Sequence, residues 1–374
     1  MSTTEDRIGR TEIDDIEAIL SVSNTDVDAV AHAVKDNADA LFTWDYEQSR
    51  EPLIKLYEKA KTSQWNASTD LDWSIEVDQL AVIEANRAQN KMIFENHDVR
   101  GTPVESWGED EWTQHAIEAQ NWTLSQFMHG EQGALICTAQ IVETVPWYDA
   151  KLYASTQVVD EARHVEVFAR YLDEKLSGHY PINAHLKMLL DDIVLDSRWD
   201  MTYLGMQIMV EGLALAAFGF MHQMTTEPLL KQMLRYVMSD EARHVAFGVL
   251  SLKEYYEDLT TAELRERQEF AFEAAVRMRD RLMQQEVWER MGVPVKEAIQ
   301  VVNERVPDQK IFQQMLFAKI VPNCRKLGLI DAGDGWLRER FTELGVIGFE
   351  DWTDTAEEYS LLDEVAKDKD AASA

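Results

Sequence analysis

The chain has 374 residues, of which 45% are hydrophobic and 28% are charged, a composition typical of a globular protein. Its formal net charge of −32 argues against a nucleic-acid-binding surface, which would be basic. An acidic surface of this kind favours solubility, and it would also suit a basic protein partner. Two cysteines, Cys137 and Cys324, are too few for a disulfide framework and fit a reducing compartment.

No segment has the pattern of a membrane anchor. The first ten residues, MSTTEDRIGR, lack the apolar core of a signal peptide. The most apolar stretch, 206–221, is shorter than a membrane span and contains Gln207 and Glu211. We therefore expect a cytoplasmic protein with neither a membrane nor a nucleic acid as its partner.

The N-terminal quarter of the chain begins with a polar segment, and the residues after it are predicted to be helical. Residues 1–25 are expected to be a flexible segment, and residues 26–100 to form helices that pack on the rest of the chain. Two of these helices are predicted between 26 and 61, and another from 75 to about 97. Trp65 and Trp73 fall in a turn-rich connection, which we expect them to hold against the core without a chemical role.

The middle of the chain, 109–257, is predicted to contain four long helices. These span about 109–144, 149–176, 199–223 and from Pro228 onward, with a short helix at 185–195 between the second and the third. Further helices, including 261–291 and 308–327, are expected in the C-terminal region 258–345. They are candidates for padding the bundle or for a subunit contact in a homodimer. The acidic tail, 356–374, is predicted to be disordered at its end.

A five-residue sequence, DEARH, occurs twice, at 160–164 and at 240–244. Each copy places a Glu and a His three residues apart, so that on a helix they lie on one face and can bind one metal ion together. Another Glu precedes each copy by the same 30 residues, at Glu131 and at Glu211. The segments 131–165 and 211–245 align without a gap at a period of 80, which indicates a duplicated helical hairpin.

Glu131 and Glu211 both fall in the middle of an apolar helix face. A bare carboxylate there would be costly, so each must be protonated, paired or bound to metal. A Glu from each of two helices and a Glu-x-x-His from each of the other two is the ligand set of a di-iron or di-manganese centre in a four-helix bundle. The predicted ligands are Glu131, Glu161 and His164 for one ion and Glu211, Glu241 and His244 for the other, with Glu161 and Glu241 as bridges.

These ligand types suit two iron ions, and manganese or a mixed manganese–iron pair also fits. Six ligands leave open positions on both ions, where dioxygen can bind as a co-substrate. Asp160 and Asp240 are predicted to accept a hydrogen bond from the histidine of the opposite helix, with Arg163 and Arg243 paired to them. The alternative is that these residues form the solvated faces of their helices.

A largely apolar substrate pocket is predicted beside the metals. Its candidate lining residues are Ala134, Leu135, Phe168, Ala214, Leu215 and Phe218. Core packing alone would also account for Phe168 and Phe218.

Residues 110–255 resemble the ferritin-like di-iron carboxylate proteins. The two DEARH sequences are similar to the DExRH signature of the bacterial multicomponent monooxygenases. The same superfamily includes the acyl-carrier-protein desaturases, the p-aminobenzoate N-oxygenases and the small subunit of class I ribonucleotide reductase. The resemblance implies an all-α, ferritin-like four-helix bundle with flanking helices, whose di-iron centre activates dioxygen in its ferrous state.

Three positions depart from individual branches of that superfamily. Phe168 stands where the reductase small subunit has its radical tyrosine, and Leu215 stands where hydrocarbon monooxygenases have a threonine. Val237 stands where the N-oxygenases have a third histidine. No single branch therefore transfers its activity to this sequence.

The expected function is a monooxygenase, a hydroxylase or an N-oxygenase, that acts on an apolar or aromatic organic compound. The sequence contains neither a Gly-rich dinucleotide motif nor clustered cysteines, so electrons are expected from a separate reductase or ferredoxin. The alternatives are a ferroxidase or another ferritin-like metal-binding protein, and a protein like the reductase small subunit.

Overall fold

The computed structural model describes residues 8, 12–89, 99–305 and 313–361. Within these residues the regular structure is helical and there are no strands, which confirms the all-α prediction. The helices that precede the bundle are α1 (Ile16–Ser21), α2 (Glu51–Thr62) and α3 (Gln79–Gln89).

Four long helices form the central bundle. They are α4 (Glu109–Thr144), α5 (Tyr148–Lys175), α7 (Trp199–Met224) and α8 (Pro228–Tyr256), with the short α6 (Ala184–Leu195) between the two hairpins. Helix α4 packs on α5 and on the first part of α7, and α8 packs on α5 and α7, so the four helices close around one core. The predicted bounds of these helices agree with the observed ones to within one residue.

Helix α7 contains an irregularity that its sequence did not predict. Residues Leu204–Val210 form a π-helix, so the Glu211 N–H donates to the Met206 carbonyl, five residues earlier. By length and apolar character, α7 is the one described helix that could cross a membrane, but most of it is buried inside the bundle. Its apolar surface therefore belongs to the protein core.

The C-terminal helices cover the bundle from one side. They are α9 (Thr261–Arg281), α10 (Gln285–Arg290), α11 (Val295–Arg305), α12 (Ile320–Lys326) and α13 (Trp336–Glu343). Helix α9 packs against α6 and the π-helical segment, while α2, at the other end of the chain, packs against α5 and α8.

Two helix predictions outside the bundle were wrong. The segment 26–50 has no regular structure, because its aspartates satisfy nearby backbone N–H groups: Asp36 accepts from Ala38 and Asp45 accepts from Glu47, at 2.8 and 3.0 Å. The predicted helix 261–291 ends at Arg281 because Gln284 adopts a left-handed backbone conformation with a φ of 52°.

Other terminal predictions were met only in part or lie outside the described residues. The predicted helix 308–327 is described from residue 313, where a short helical stretch, a 3₁₀ turn at Leu316–Ala318 and α12 replace one continuous helix. Residues 355–361 of the C-terminal part are helical. The predictions for residues 1–7, 90–98 and 362–374 lie outside the described residues.

Candidate dimetal centre

The bundle brings all six predicted ligands into one buried cluster. Glu131 comes from α4, Glu161 and His164 from α5, Glu211 from α7, and Glu241 and His244 from α8; each is at most 5% exposed. Their potential ligand atoms form two groups, within each of which all the atoms lie within 4.8 Å of one another. The first group contains Glu131, Glu161, His164 and Glu241, and the second contains Glu161, Glu211 and His244. Glu161 is therefore shared by both groups.

The two histidines face this cluster with the same ring atom. The Nδ1 atom of His164 lies 3.1 Å from Glu241 and 3.2 Å from Glu131. The Nδ1 atom of His244 lies 3.0 Å from Glu161 and 3.6 Å from Glu241. Glu241 thus approaches both histidines, although its oxygens fall within the first ligand group only.

The other ring nitrogen of each histidine points away from the cluster to an aspartate on the opposite helix. His164 Nε2 lies 3.2 Å from Asp240 Oδ2, and His244 Nε2 lies 3.3 Å from Asp160 Oδ2. Because an ionised aspartate only accepts, each Nε2 carries the proton, which leaves Nδ1 as the atom available to a metal. This crossed arrangement is the one that the sequence analysis predicted for Asp160 and Asp240.

Two buried arginines neutralise those aspartates. Arg163 donates to Asp160 on its own helix and to Asp240 at 3.2 Å. Arg243 donates to Asp240 on its own helix and to Asp160 at 3.4 Å. The four side chains form one ion-pair network, so they do not form the solvated helix faces that were considered as the alternative.

Sequence reasoning missed three polar residues at the site. Trp65 donates to Asp240 Oδ2 at 2.8 Å, and Gln64 donates to Asp160 at 3.2 Å while accepting from Arg163 at 2.9 Å. Gln157 donates to both Glu161 and Glu211 at 3.0 Å. Only Gln157 left a signal in the sequence, because it lies one helical turn before Glu161. The positions of Gln64 and Trp65 depend on how α2 packs.

The electrostatics of the cluster show how strongly its charges interact. Burial, together with the neighbouring carboxylates Glu241 and Glu161, raises the pKa of Glu131, and burial together with Glu161 and Glu241 raises that of Glu211. The pKa values of His164 and His244 are also raised, because the surrounding carboxylates outweigh the effect of burial. A metal ion would therefore displace protons from these groups when it binds.

The donor set fits two metal ions. Several buried atoms that face the cluster have no hydrogen-bond partner among the described residues, including Glu161 Oε2, Glu211 Oε2 and both carboxylate oxygens of Glu241. Buried carboxylate oxygens without donors are costly, and a cation between them would compensate all of them at once. The ligand types are those that iron and manganese accept.

A small cavity, about 20 Å³, lies beside the cluster and has room for about one water molecule. Three of the cluster's carboxylates, those of Glu131, Glu211 and Glu241, line it together with Ala134 and Ala214. Its other lining residues are Gln126, Phe127, Gly130, Val210 and Arg281.

Four of the six predicted pocket residues do not line this cavity. Leu135 and Leu215 each lie one position past a lining alanine, and the helical rotation of about 100° per residue turns them away. Phe168 and Phe218 instead form an aromatic cluster with Phe127, with ring centroids 4.6 to 6.2 Å apart. They support the lining residue Phe127 from behind.

The comparisons with known proteins agree with the composition of this site. A family model described as P-aminobenzoate N-oxygenase AurF matches residues 138–328, just over half of the chain. This match includes both DEARH sequences and Glu211, and it begins after Glu131. The search of the curated proteins found no match.

Solved structures of R2-like ligand-binding oxidases are also similar to this chain. A point mutant with an anaerobically reconstituted Mn/Fe cofactor is 18% identical, with a TM-score of 0.46, and the match covers 76% of this chain and 94% of that one. Another point mutant, with a non-activated Mn/Mn cofactor, is 18% identical, with a TM-score of 0.45, and the match covers 78% of this chain and 96% of that one.

The extent of the family match identifies the chain more firmly than any single motif does. The match spans three of the four bundle helices in full and the last turns of α4, and it includes five of the six clustered carboxylate and histidine residues. Those five residues occupy one buried site with Glu131. The chain therefore belongs to the p-aminobenzoate N-oxygenase AurF family, and it is a ferritin-like enzyme of the dimetal oxidase and oxygenase type.

Proposed function

We propose that the chain is a monooxygenase, a hydroxylase or an N-oxygenase, that acts on an apolar or aromatic organic compound. The observation that carries this proposal is the cluster of four buried glutamates and two buried histidines, with unpartnered oxygens, beside a cavity in a chain of the N-oxygenase family. In the proposed site, Glu131, Glu161 and His164 would hold one ion and Glu211, Glu241 and His244 would hold the other, with Glu161 and Glu241 as the residues shared between them.

The network of two aspartates and two arginines orients the histidines. Asp240 and Asp160 hold the Nε2 protons of His164 and His244, so each Nδ1 lone pair is directed at the carboxylate cluster. Arg163 and Arg243 compensate the negative charges of both aspartates in a buried position where a lone carboxylate would be costly. These residues act through the histidines and do not contact the reacting atoms.

Gln157 orients the carboxylates on the other side of the cluster. Its amide donates to one oxygen of Glu161 and one oxygen of Glu211, so the remaining oxygen of each carboxylate is free to bind a cation. Phe127, Ala134 and Ala214 form apolar walls of the adjoining cavity and exclude bulk water from it.

When bound, the metal pair supplies the electrons that reduce dioxygen. One oxygen atom enters the substrate and the other leaves as water, so each turnover consumes two electrons and two protons in addition to dioxygen. We propose that a separate reductase or ferredoxin delivers the electrons. Because iron and manganese both suit carboxylate and imidazole ligands, the residues themselves do not select between the two metals.

The test uses the metal-loaded, chemically reduced protein and ¹⁸O-labelled dioxygen. Aryl amines, small aromatic compounds and fatty acids would be supplied one class at a time, and the products analysed by mass spectrometry. The proposal expects one class to gain a single ¹⁸O atom per oxygen insertion. The His164→Ala and His244→Ala variants serve as controls, because they should yield no labelled product.

The ferroxidase alternative makes the opposite prediction. If added ferrous ion were converted catalytically into a mineral core, and no organic compound gained label, the monooxygenase proposal would be wrong. No residue of the cavity beyond Glu131, Glu211 and Glu241 adds a carboxylate that could pass iron to and from the site.

A further inference from the structure

Exposed aromatic side chains are concentrated on one short segment of the surface. Phe42, Trp44 and Tyr46 are 73%, 74% and 60% exposed, and they lie in the segment without regular structure that precedes α2. Phe42 stacks on Trp44 with ring centroids 5.4 Å apart, and Tyr46 meets Tyr148 edge to face at 5.2 Å. We call these four residues the aromatic patch. Such a patch marks a protein-binding surface, because tryptophan and tyrosine contribute much of the binding energy where two proteins meet.

Hydrogen bonds fix the aromatic patch to the connection between α4 and α5. The Leu41 N–H donates to the Glu143 carbonyl at 2.9 Å, and the Thr43 hydroxyl donates to the Pro146 carbonyl at 2.8 Å. Asp149, at the start of α5, accepts from two backbone N–H groups at the end of the segment, at 2.9 and 3.1 Å. The exposed rings are therefore held at a defined place on the bundle.

A series of contacting rings leads from this connection to the dimetal cluster. Successive ring centroids are 5.1, 5.5, 5.0 and 4.3 Å apart. In order from the surface, this ring series contains Trp147, Trp199, Tyr203, Phe247 and Tyr153. The two tryptophans are partly exposed, and the other three rings are fully buried. Trp147 adjoins Tyr148 of the aromatic patch, and Phe247 lies one helical turn after His244 on α8, so the ring series joins the patch to the cluster.

The proposed reaction needs a connection of this kind, because it consumes two electrons per turnover that come from outside the chain. Electron transfer through a protein slows steeply as the gap between redox groups widens, and contacting aromatic rings shorten the gaps. Core packing alone would account for the three buried rings, and it leaves the exposed aromatic patch unexplained.

The charge around the aromatic patch indicates the kind of partner that it fits. Residues 36–51 contain five carboxylates and one basic residue, Arg50, which is itself paired with Glu254 at 2.7 Å. A second copy of this chain, docked here about a two-fold axis, would place these carboxylates against their own copies, which is unfavourable. A protein with basic residues around an apolar centre complements the surface instead.

We propose that the aromatic patch is the docking surface of the electron donor, a protein that carries a flavin or an iron–sulfur cluster behind a basic face, and that electrons pass from it along the ring series. This inference rests on the proposed monooxygenase function and adds the place where its reductant binds. Two single-electron transfers reduce the two metal ions by one unit each, and the donor is oxidised by two units. Because the contact pairs opposite charges, added salt should slow the transfer.

Docking is tested with the photo-crosslinking residue p-benzoylphenylalanine, placed at position 44 of the full chain in the cells that normally produce it. Position 352 is the matched control, because Trp352 is also an exposed tryptophan that packs on a phenylalanine, Phe349, at 5.1 Å. Position 44, and not position 352, should capture a flavin or iron–sulfur protein. Once purified, that protein should reduce the metal-loaded chain. Trp44→Ser should slow this reduction by an order of magnitude, and Trp352→Ser should leave it unchanged.

The ring series is tested without the donor, by a ruthenium(II) polypyridyl label attached to the Tyr46→Cys variant. Both native cysteines are buried, so the label reacts with the introduced thiol. After a flash in the presence of ascorbate, one electron passes from ascorbate through the label to the oxidised metal pair. The transient absorbance of the reduced label gives the rate of this step.

Removing either partly exposed ring of the series should slow the label-driven step. Trp147→Leu and Trp199→Leu, each made in the labelled chain, should lower its rate by an order of magnitude. Trp336→Leu is the control, because Trp336 is also partly buried and packs on Phe272, outside the ring series. Metal content is measured in every variant, so a loss of metal is not mistaken for slow transfer.

Three outcomes would overturn the proposal. The first is that position 44 captures a second copy of this chain, a protein without a redox group, or nothing. The second is that the captured donor reduces Trp44→Ser as fast as the wild type. The third is that the loss of either tryptophan of the ring series leaves the label-driven rate unchanged. If the donor docks and its electrons reach the metals, but no organic compound gains ¹⁸O, the monooxygenase function fails and the docking surface stands.

Discussion

The two halves of the site share their chemical groups and differ in backbone geometry. Glu131 lies in α4, which is α-helical throughout, whereas Glu211 directly follows the π-helical segment Leu204–Val210. A π-helical turn holds one more residue than an α-helical turn and needs more space around it, and such turns are frequent at functional sites.

The position that makes room for the π-helix also differs between the halves. At the period of 80, Phe168 in the first half corresponds to Gly248 in the second. Phe168 fills the core beside Phe127 and Phe218. A Cβ atom at Gly248 would lie 2.6 Å from the Cβ atom of Gln207 in the π-helix. The two halves of the duplicated sequence therefore pack differently around the shared cluster, with a large side chain in the first half and a glycine in the second.

The polar surroundings follow the same division. Gln157 donates to Glu161 and Glu211, while its counterpart at the period of 80, Val237, has no hydrogen-bonding side chain. Glu131 has no such amide donor among the described residues, and its Oε2 atom lies 3.2 Å from His164 Nδ1. The two halves therefore contribute the same kinds of predicted metal ligand, but different side chains orient those ligands in each half.

The largest expected effect tests whether both halves are needed for metal. His164→Ala and His244→Ala should each lower the metal content from about two ions per chain to less than one. The reason is that both histidines face the shared cluster: His164 lies beside three of its carboxylates and His244 beside two. Metal analysis of the purified variants measures this. His129→Ala is the control, since His129 binds the Tyr180 carbonyl outside the cluster, and it should keep both ions. Full occupancy in either ligand variant contradicts the ligand assignment.

The next effect compares the two aspartates. Asp160→Asn and Asp240→Asn should each weaken metal binding about 10- to 100-fold, because an amide can present its NH₂ to the histidine and favour the wrong tautomer. Competition with a chelator of known affinity gives the two values. If one variant binds metal like the wild type, only one half depends on its aspartate and the crossed arrangement is not functionally symmetrical.

A glycine substitution tests the packing difference. Gly248→Ala should destabilise the protein by about 1 to 3 kcal/mol, because its Cβ would overlap the π-helix at Gln207. Gly219→Ala on α7 is the control: its Cβ would meet only Met238, at 3.7 Å, so it should be neutral or stabilise by about 0.5 to 1 kcal/mol. Denaturant unfolding of the two variants measures both values. Equal stability of both variants would show that the π-helix does not require a glycine.

The smallest effect concerns the residues that reach the site from α2 and the connection that follows it. Trp65→Phe removes one donor to Asp240, which keeps its bonds to Arg163 and Arg243, so the free energy of unfolding should fall by about 1 kcal/mol while both metals are retained. Gln64→Met removes the matching donor to Asp160, and its effect should be smaller because Gln64 is exposed to solvent. A larger loss for Gln64→Met would mean that the Asp160 half depends more on this connection.

The bundle and its cluster were predictable from the sequence for a local reason. Glu and His three residues apart share a helix face wherever the helix lies, and Glu131 and Glu211 each sat on an apolar face that had to be buried. The helix bounds followed from the same local rules. In the segment 26–50 the local rules were misjudged, because the capping preference of its aspartates outweighs its helical periodicity.

The sequence by itself determined the four helices and the six clustered residues, since these follow from helical spacing and the repeat. For Asp160 and Asp240 it left two alternatives, and the tertiary structure decided in favour of the crossed Asp–His pairs. Only the tertiary structure decided what surrounds them. Trp65 and Gln64 are about 100 residues or more from the groups they bind, and Arg281 reaches the cavity from a helix outside the bundle. Such contacts depend on how one helix lies across another, which no periodicity within a single helix encodes.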